Sequence, residues 1–458
     1  MSDAELDDRT ASETRRLLDF LTTVGSGDVP EAVIHESKRC LLDYLGVTIA
    51  AADEPAVTIA RRQYEALGGH PQTRALGTSV RLRVTDAAMV NGIAAHAFDF
   101  DDTHVPTILH PTTPLYSAGL GLADWLGRSG LDLLASHAVG YEVGARASLA
   151  LYPEHYDAGW HMTGTTGPLA AATASARLLG LTAAQAAHCL GLAATQASGH
   201  REQFGTMAKP FHAGHAASAG VLAAMFAKEG FTAAPDSIQG RRGMFAVMST
   251  RSTVSDLVDG LGDRWEIFRN GVKPYACGVV IHPTIDSVRQ FREKDGVSAD
   301  DVEQIELSVN PLVVELTGRL EPRTGLEGKF SAVFACAIAL IDGKVGEAAF
   351  TDANVTRPDV RALMDRIRLV PDAAIDHTKA VATLITRDGK TSESRVAHAS
   401  GTPENRLSDG DLAAKFHDLV DPVLGGAQAA ELEALTWRMD ELADVAALMS
   451  AATPLTRD

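Results

Sequence analysis

Titratable side chains are concentrated in one short stretch of this sequence. Between His96 and His110, 15 positions hold three aspartates and three histidines, directly after an alanine-rich helical pattern. Burying a charge costs several kcal/mol unless it is paired, so packing does not explain this density. The stretch predicts a site that binds a metal, holds a polar ligand or transfers protons. The alternative is a solvated helix end whose aspartates cap the next helix.

A second candidate segment runs from Gly159 to Gly167 and is rich in glycine and threonine. It precedes a long apolar helical pattern, so its backbone amides and hydroxyls suit a carboxylate or phosphate at a helix N-terminus. His161 within it is a candidate proton donor. The alternative is a loop with repeated capping hydroxyls and an ordinary loop histidine.

A third candidate is Lys209, which directly precedes Pro210. The residue before a proline avoids the helical region of backbone space, so we expect this lysine outside regular helix. There it could bind a substrate carboxylate or, if desolvated, act as a base. The alternative is an ordinary surface lysine.

A fourth segment lies where the helical pattern ends. It contains Lys273, Tyr275 and His282, which makes it a candidate edge of a site between two domains. The alternative is a linker with a packed tyrosine. Cys277 in the same segment has no activating neighbour and is interpreted as core or lining. Further on, Ser331 is a candidate helix cap.

The hydrophobic pattern predicts two domains, as expected for 458 residues. From about residue 10 to 270 the pattern is almost wholly helical, with Thr85 or Asp86 as a cap and a break over 180–182. Beyond residue 300 it alternates along Val302–Val309, and Arg387-Asp388-Gly389 indicates a hairpin. Between these, 328–341 reads as a buried helix. Helical texture returns after residue 403.

The predicted fold class is therefore mainly α with an inserted α+β domain. A large all-helical bundle domain is expected over residues 1–272 and 405–458, with a smaller α+β lid domain over 273–404. The two are expected to enclose a cleft to which the candidate residues converge.

Composition excludes several classes of partner. The net charge of −18 offers no basic stripe for nucleic acid, and no apolar run approaches a membrane span. The acidic N-terminus, with Asp3, Glu5, Asp7 and Asp8, is unlike a targeting peptide. Four scattered cysteines without a CxxC pair favour neither disulfides nor zinc. A cytoplasmic protein is expected.

Taken together, these segments resemble the MmgE/PrpD family over nearly the whole chain. The resemblance rests on DFDDTH with a following HP, GWHMTGTTG, TMAKPFHAGHAA, KPYACGVVIHP and GLEGKFS, in that order. The family includes 2-methylcitrate dehydratases, cis-aconitate decarboxylases and iminodisuccinate epimerases. It implies a helical domain with an α+β lid, a homodimer, and no metal or organic cofactor.

The resemblance also implies site residues. Those of the decarboxylase members fall on Asp99, Thr103, His110, His161, Lys209 and His282. Two departures stand out. The spacing from Asp99 to His110 is one residue longer than in those members, and Phe334 stands where they carry a tyrosine. The missing hydroxyl argues against cis-aconitate decarboxylation in its usual form.

The reactions of this family all create or quench a carbanion next to a carboxylate. Such chemistry needs cations and donors for the substrate carboxylates and a positioned base. The expected catalytic residues are His161, His282, Lys209 and Asp99. The expected substrate-binding residues are Thr103, His110, Thr163, Lys273 and Tyr275.

The expected function is a cofactor-independent lyase that dehydrates a small hydroxylated di- or tricarboxylate. One alternative is an epimerase of an amino- or imino-dicarboxylate. Others are a cis-aconitate decarboxylase, and a metal-dependent enzyme with Asp99, Asp101, Asp102 and the histidines as ligands. The spacing of that cluster fits no HExxH or EF-hand pattern.

Overall fold

The computed structural model describes residues 11–455, so the acidic residues Asp3, Glu5, Asp7 and Asp8 lie outside the described residues. Backbone contacts divide the chain into two compact units. The helical unit comprises residues up to 271 and from 409 onwards, and the mixed unit comprises residues 272–408. The sequence predicts these limits at 273 and 404.

The described helices are, in chain order, α1 (Ser12–Thr23), α2 (Glu31–Ala50), α3 (Pro55–Leu67), α4 (Val84–Ala97), α5 (Thr112–Leu126), α6 (Gly130–Leu151), α7 (Glu154–Asp157), α8 (Met162–Thr165), α9 (Gly167–Leu179), α10 (Ala183–Ala194), α11 (Ala208–Lys228), α12 (Met244–Met248), α13 (His282–Glu293), α14 (Pro311–Thr317), α15 (Gly325–Gly328), α16 (Ala332–Asp342), α17 (Asp352–Val355), α18 (Pro358–Met364), α19 (Asp409–Leu424), α20 (Gly426–Trp437) and α21 (Ala446–Ala451). The strands are β1 (Thr73–Arg74), β2 (Arg81–Leu82), β3 (Thr103–His104), β4 (Asn270–Gly271), β5 (Val302–Val309), β6 (Ile367–Pro371), β7 (Ala380–Thr386) and β8 (Thr391–Val396).

Helices α4, α5, α6, α9 and α11 form the centre of the helical unit and pack directly on one another. They are apolar almost all round, which is typical of helices buried on every side. Two glycines let α4 and α11 touch through their backbones: a Cβ on Gly92 would lie 2.6 Å from the Cα of Gly214. This contact fixes the distance between α4, which carries His96, and α11, which carries Lys209 and His212.

In the helical unit, two predictions made from short sequence signals are confirmed and two are wrong. Gly180 ends α9 in a left-handed conformation, and Thr182 caps α10 by accepting from the amide of Gln185, both as predicted. The predicted cap of α4 is wrong. The helix begins at Val84 without a side-chain cap, so Thr85 and Asp86 lie within its first turn. The almost wholly helical pattern predicted up to about residue 270 is also wrong for its last part, because only α12 and short 3₁₀ turns lie between Lys228 and Asn270.

The mixed unit is built on a four-stranded sheet in the order β6–β5–β7–β8. β5 runs parallel to β6 and antiparallel to β7, and β7 and β8 form the predicted hairpin, with Gly389 at φ +84° in its turn. Helix α13 packs against β7, β8 and α16. The buried helix begins at Ala332 rather than at residue 328, because the hydroxyl of Ser331 caps it by accepting from the Phe334 amide. The predicted role of Ser331 is thus confirmed.

The predicted fold class, mainly α with an α+β part, is confirmed. Among residues 11–455, none of the helices combines the length and the apolar character that crossing a bilayer requires.

Candidate active site

Asp99 and His110, the first residues of the site, lie on an unusual stretch of backbone that follows α4. Asp99 has φ +53° and Ile108 has φ +59°, a left-handed conformation that is uncommon for residues other than glycine. Between them β3 pairs with β4, which anchors the segment. Strain of this kind clusters at functional sites, where surrounding structure maintains it. It orients the Asp99 side chain and returns the chain to His110.

Lys209 lies in the first turn of α11, and its side chain reaches Asp99. Its Nζ is 2.8 Å from Oδ1 of Asp99, and its side chain is 12% exposed. The expectation that it lies outside regular helix is wrong. The first backbone amides of a helix have no hydrogen-bond partner within it. Pro210 lacks an amide hydrogen, so at this position it costs the helix no hydrogen bond, and Lys209 before it stays helical.

His110 is held with a defined proton position. Its Nδ1 lies 2.8 Å from the carbonyl oxygen of Asp102, which can only accept, so Nδ1 carries a proton. In the neutral ring Nε2 is then the unprotonated nitrogen, and it lies 3.9 Å from Oδ1 of Asp99. The hydroxyl of Thr103 is 3.4 Å from Nδ1, and Thr163 accepts from the His110 amide at 3.1 Å. Thr103 therefore contacts the imidazole of His110, whereas Thr163 holds its backbone.

His161 forms a second imidazole contact within the site. Its Nδ1 is 3.1 Å from Nδ1 of His212, so one ring donates and the other accepts. Burial holds the pKa of His161 well below its ordinary value, with help from His96 and Lys209, and burial lowers the pKa of His212 to about 4. The ring of His161 also meets the face of Phe204 edge-on at 5.0 Å. Both imidazoles are therefore neutral near pH 7 and able to accept a proton.

His96 and Asp101 form a buried pair beside these rings. Nδ1 of His96 lies 2.8 and 3.0 Å from the two carboxylate oxygens. Burial lowers the pKa of His96 to about 4. Burial would raise the pKa of Asp101, but the imidazoles of His96 and His110 outweigh it and hold that pKa well below its usual range. The pair is thus a neutral imidazole donating to a carboxylate.

The helical unit brings six of the nine predicted site residues together: Asp99, Thr103, His110, His161, Thr163 and Lys209. The other three lie in the mixed unit. There His282 opens α13 and meets the ring of Tyr275 edge-on at 5.2 Å, while Lys273 is buried. The Tyr275 hydroxyl donates to Asp286. That these three complete one site with the first six stays a prediction.

The threonine-rich segment is more structural than expected. Residues 162–165 form α8. The hydroxyl of Thr165 donates to Nε2 of His155 at 2.8 Å, and Oγ1 of Thr166 lies 3.0 Å from the carbonyl oxygen of Met162. Both hydroxyls are bonded within the helical unit, but neither caps a helix, so the alternative of repeated capping hydroxyls does not describe them. Thr163 is fully buried and acts on His110.

One group in the described residues has the composition of a metal site. His96, Asp99, Asp101 and His110 can each place one ligand atom within 4.8 Å of the others. Lys209 already supplies positive charge to Asp99, however, and Nδ1 of His96 donates to Asp101. A divalent ion would have to displace the ammonium, so the set fits an acid–base site better than a resident metal.

Comparison with known proteins identifies the family of the chain. The model of the MmgE/PrpD N-terminal domain matches residues 15–256, and that of the MmgE/PrpD C-terminal domain matches residues 275–441. The chain belongs to the MmgE/PrpD family. Cis-aconitate decarboxylase from Aspergillus terreus is 25% identical over 468 residues, covering 95% of each chain. Cis-aconitate decarboxylase from Homo sapiens is 27% identical over 441 residues, covering 92% of this chain and 90% of its own.

Three residues of this MmgE/PrpD protein are missing from the nine predicted catalytic and substrate-binding residues: His96 and Asp101, which lie in the predicted titratable stretch, and His212. The sequence contains a helical signal for His212, which follows Lys209 by three positions on α11. Residues three apart lie on one helical face, so the sequence already places these two side chains together. His96 offers no such signal toward Asp99, because Asp99 lies beyond the end of α4. Asp101 offers no comparable periodic signal.

Asp102 gives this MmgE/PrpD protein a pH-dependent stability. Its carboxyl accepts from Thr112 and, at 2.7 Å, from Asn270. Burial, with Asp43 and Asp101 nearby, raises its pKa from 3.8 to about 7. The folded state therefore favours the protonated form. The contribution of Asp102 to the free energy of unfolding is therefore fully present below about pH 4 and is lost as the pH rises through about 7.

Asp102→Asn should consequently stabilise the protein at about pH 8 by roughly 1–3 kcal/mol and have little effect near pH 4. Urea unfolding of both proteins across this range measures the difference. Asp132→Asn is the control of opposite sign, because Ser26 and Ser129 hydroxyls hold the pKa of Asp132 below its usual value against partial burial. A pH-independent difference for Asp102→Asn would contradict the prediction.

Proposed function

We propose that this protein is a lyase that removes water from a small hydroxylated di- or tricarboxylate. The observation that carries the proposal is the ammonium of Lys209, 2.8 Å from Asp99, beside a group of buried neutral imidazoles. The cation can bind a substrate carboxylate, and a neutral imidazole can remove the proton from the adjacent carbon. Relatives named as decarboxylases, which are also lyases, support this class of reaction.

The proposed step assigns one task to each group. Lys209 binds the carboxylate next to the reacting carbon, and His161 takes the proton from that carbon. The electron pair forms the double bond as the carbon–oxygen bond breaks, and the hydroxyl leaves as water after accepting a proton. His282 is the proposed donor of that proton. Asp99 orients Lys209 and His110.

The remaining predicted residues complete the proposal. Thr103, His110, Thr163, Lys273 and Tyr275 bind or orient the substrate. On the family resemblance, we further propose a cytoplasmic homodimer that uses no metal or organic cofactor.

A second candidate function is decarboxylation of cis-aconitate, which the names of the relatives favour. In that reaction the bond to one carboxylate breaks, carbon dioxide leaves, and the carbon takes up a proton. The same cation and imidazoles serve both reactions. The residue at position 334 argues for the first candidate, because phenylalanine has no hydroxyl to offer.

One screen separates the candidates. The protein is incubated in deuterated water with citrate, 2-methylcitrate, cis-aconitate and amino-dicarboxylates, and products are followed by mass spectrometry. Loss of water supports the proposal, and loss of carbon dioxide supports the second candidate. Deuterium uptake without loss of either identifies an epimerase, and activity abolished by a chelator identifies a metal enzyme. Absence of any exchange or product would overturn the proposal.

The Phe334 substitution leads to a specific expectation within this screen. Phe334 is fully buried and meets the ring of Phe350 edge-on at 5.8 Å. The helix therefore packs normally without the hydroxyl, and the difference is one of chemistry. We expect the protein to release little or no carbon dioxide from cis-aconitate while it acts on a hydroxy- or amino-dicarboxylate. Rapid itaconate formation would return decarboxylation to first place.

A further inference from the structure

The imidazole of His96 contains an acceptor that no residue between 11 and 455 uses. The residue is 1% exposed, and its Nδ1 faces both oxygens of Asp101. Its Nε2 is shielded from solvent and has no hydrogen-bond partner among the described residues. A buried polar atom without a partner costs about 1–3 kcal/mol. Such an atom requires an explanation, and an absent ligand is one.

The proton of His96 can be placed from its neighbours. Asp101 is ionised, and it accepts from the hydroxyl of Thr113 at 2.7 Å as well as from His96. A carboxylate oxygen cannot donate, so the proton shared with it lies on Nδ1 of His96. Because the ring is neutral, Nε2 carries a lone pair. Asp101 is therefore a positioning residue that fixes this tautomer.

The groups that face His96 are those of the candidate site. The ring of His110 meets it edge-on at 4.6 Å, and the ring of His161 lies nearly parallel to it at 5.8 Å. The charges of Lys209 and Asp101 both act on its titration. Nε2 of His96 is therefore a neutral acceptor within the site, and no described residue donates a hydrogen bond to it.

We propose that Nε2 of His96 accepts a hydrogen bond from a hydroxyl or ammonium group of the substrate. His96 is then a specificity-determining residue that selects hydroxy- or amino-polycarboxylates over acids without such a donor. The inference rests on the proposed function and narrows its substrate class. A site with a buried acceptor rejects the analogue lacking a donor, because that analogue leaves the acceptor unpaired.

Two matched pairs of acids test the inference by calorimetric binding near neutral pH. Citrate and tricarballylate differ only in one hydroxyl, as do malate and succinate. We expect the wild-type protein to bind the hydroxylated member of one pair about 5- to 150-fold more tightly. His96→Leu should bind both members alike, whereas His96→Gln, which retains an acceptor, should keep part of the preference.

A second variant guards against misfolding of the leucine protein. Asp101→Asn offers an amide N–H to Nδ1 and moves the proton to Nε2, so the preference should again disappear. The ¹⁵N shifts of His96 report the tautomer in wild type and in this variant without any ligand.

The possible outcomes are distinguishable. If wild type binds the two members of each pair equally, the inference is overturned and the proposed function stands. If His96→Leu keeps the full preference, or if the ¹⁵N shifts place the wild-type proton on Nε2, the inference also fails. If no acid binds, the proposed function falls and the inference falls with it.

Discussion

Replacing His161 with glutamine is expected to lower kcat by about 10²- to 10⁴-fold, the contribution typical of a general base. The imidazole is neutral at working pH because burial depresses its pKa, so it can take a proton without first losing one. Glutamine keeps a hydrogen-bonding group beside His212 but cannot act as a base. Steady-state kinetics with the substrate found in the screen measure the loss.

A histidine elsewhere in the helical unit provides the control for this substitution. His188 is buried and bonded through Nδ1 to the backbone of Ala233, so His188→Gln removes a structural imidazole and should leave kcat nearly unchanged. Equal losses in the two variants would mean that His161 has only a structural role. Unchanged kinetics for His161→Gln would remove it from the reaction.

Replacing Lys209 with alanine is expected to lower kcat/KM by roughly 30- to 1000-fold. One charged hydrogen bond to a substrate carboxylate is worth about 2–4 kcal/mol. KM should rise, because the ammonium binds the substrate before the reaction, and kcat falls too if the cation also stabilises the developing charge. The melting temperature should fall as well, because the side chain is only 12% exposed and its ion pair with Asp99 is lost, so the kinetics are measured well below the unfolding transition.

Lys228→Ala is the matched control, since this lysine ends the same helix and donates to the carbonyl of Leu179. It should leave both kinetic constants at wild-type values. If Lys209→Ala keeps wild-type kcat/KM, the cation is not part of the substrate site, and the proposal that it binds a carboxylate is wrong.

Elements whose signals are local could be predicted from the sequence. The alternation of β5, the glycine turn between β7 and β8, and the stop at Gly180 each depend on a few consecutive residues. The clustering of Asp99 with Lys209 was predicted for a different reason, namely resemblance to a known family. No periodicity connects two residues that lie 110 positions apart.

What the sequence could not provide was set by tertiary structure. The left-handed backbone at Asp99 is adopted by a residue whose type does not require it, so its side-chain direction was hidden. Lys209 remains helical because the first turn tolerates proline, which a propensity rule does not register. Asp101 pairs with His96 through that same irregular turn. These three features determine where the protons of the site lie, and none of them produces a recognisable pattern in the sequence.

The contact between Gly92 and Gly214 has a consequence for how this protein could acquire new substrates. Each glycine lies within two turns of site residues, His96 on α4 and Lys209 on α11, and a Cβ on either would collide with the other helix. The spacing of the two helices is thus already at its minimum and is set by backbone atoms. Substitutions that arise in evolution or in a directed-evolution library cannot bring these two helices closer together. They can change the shape of the site only by exchanging the side chains around it. The packing of α4 against α11, which carry His96 and Lys209, would stay the same in such variants.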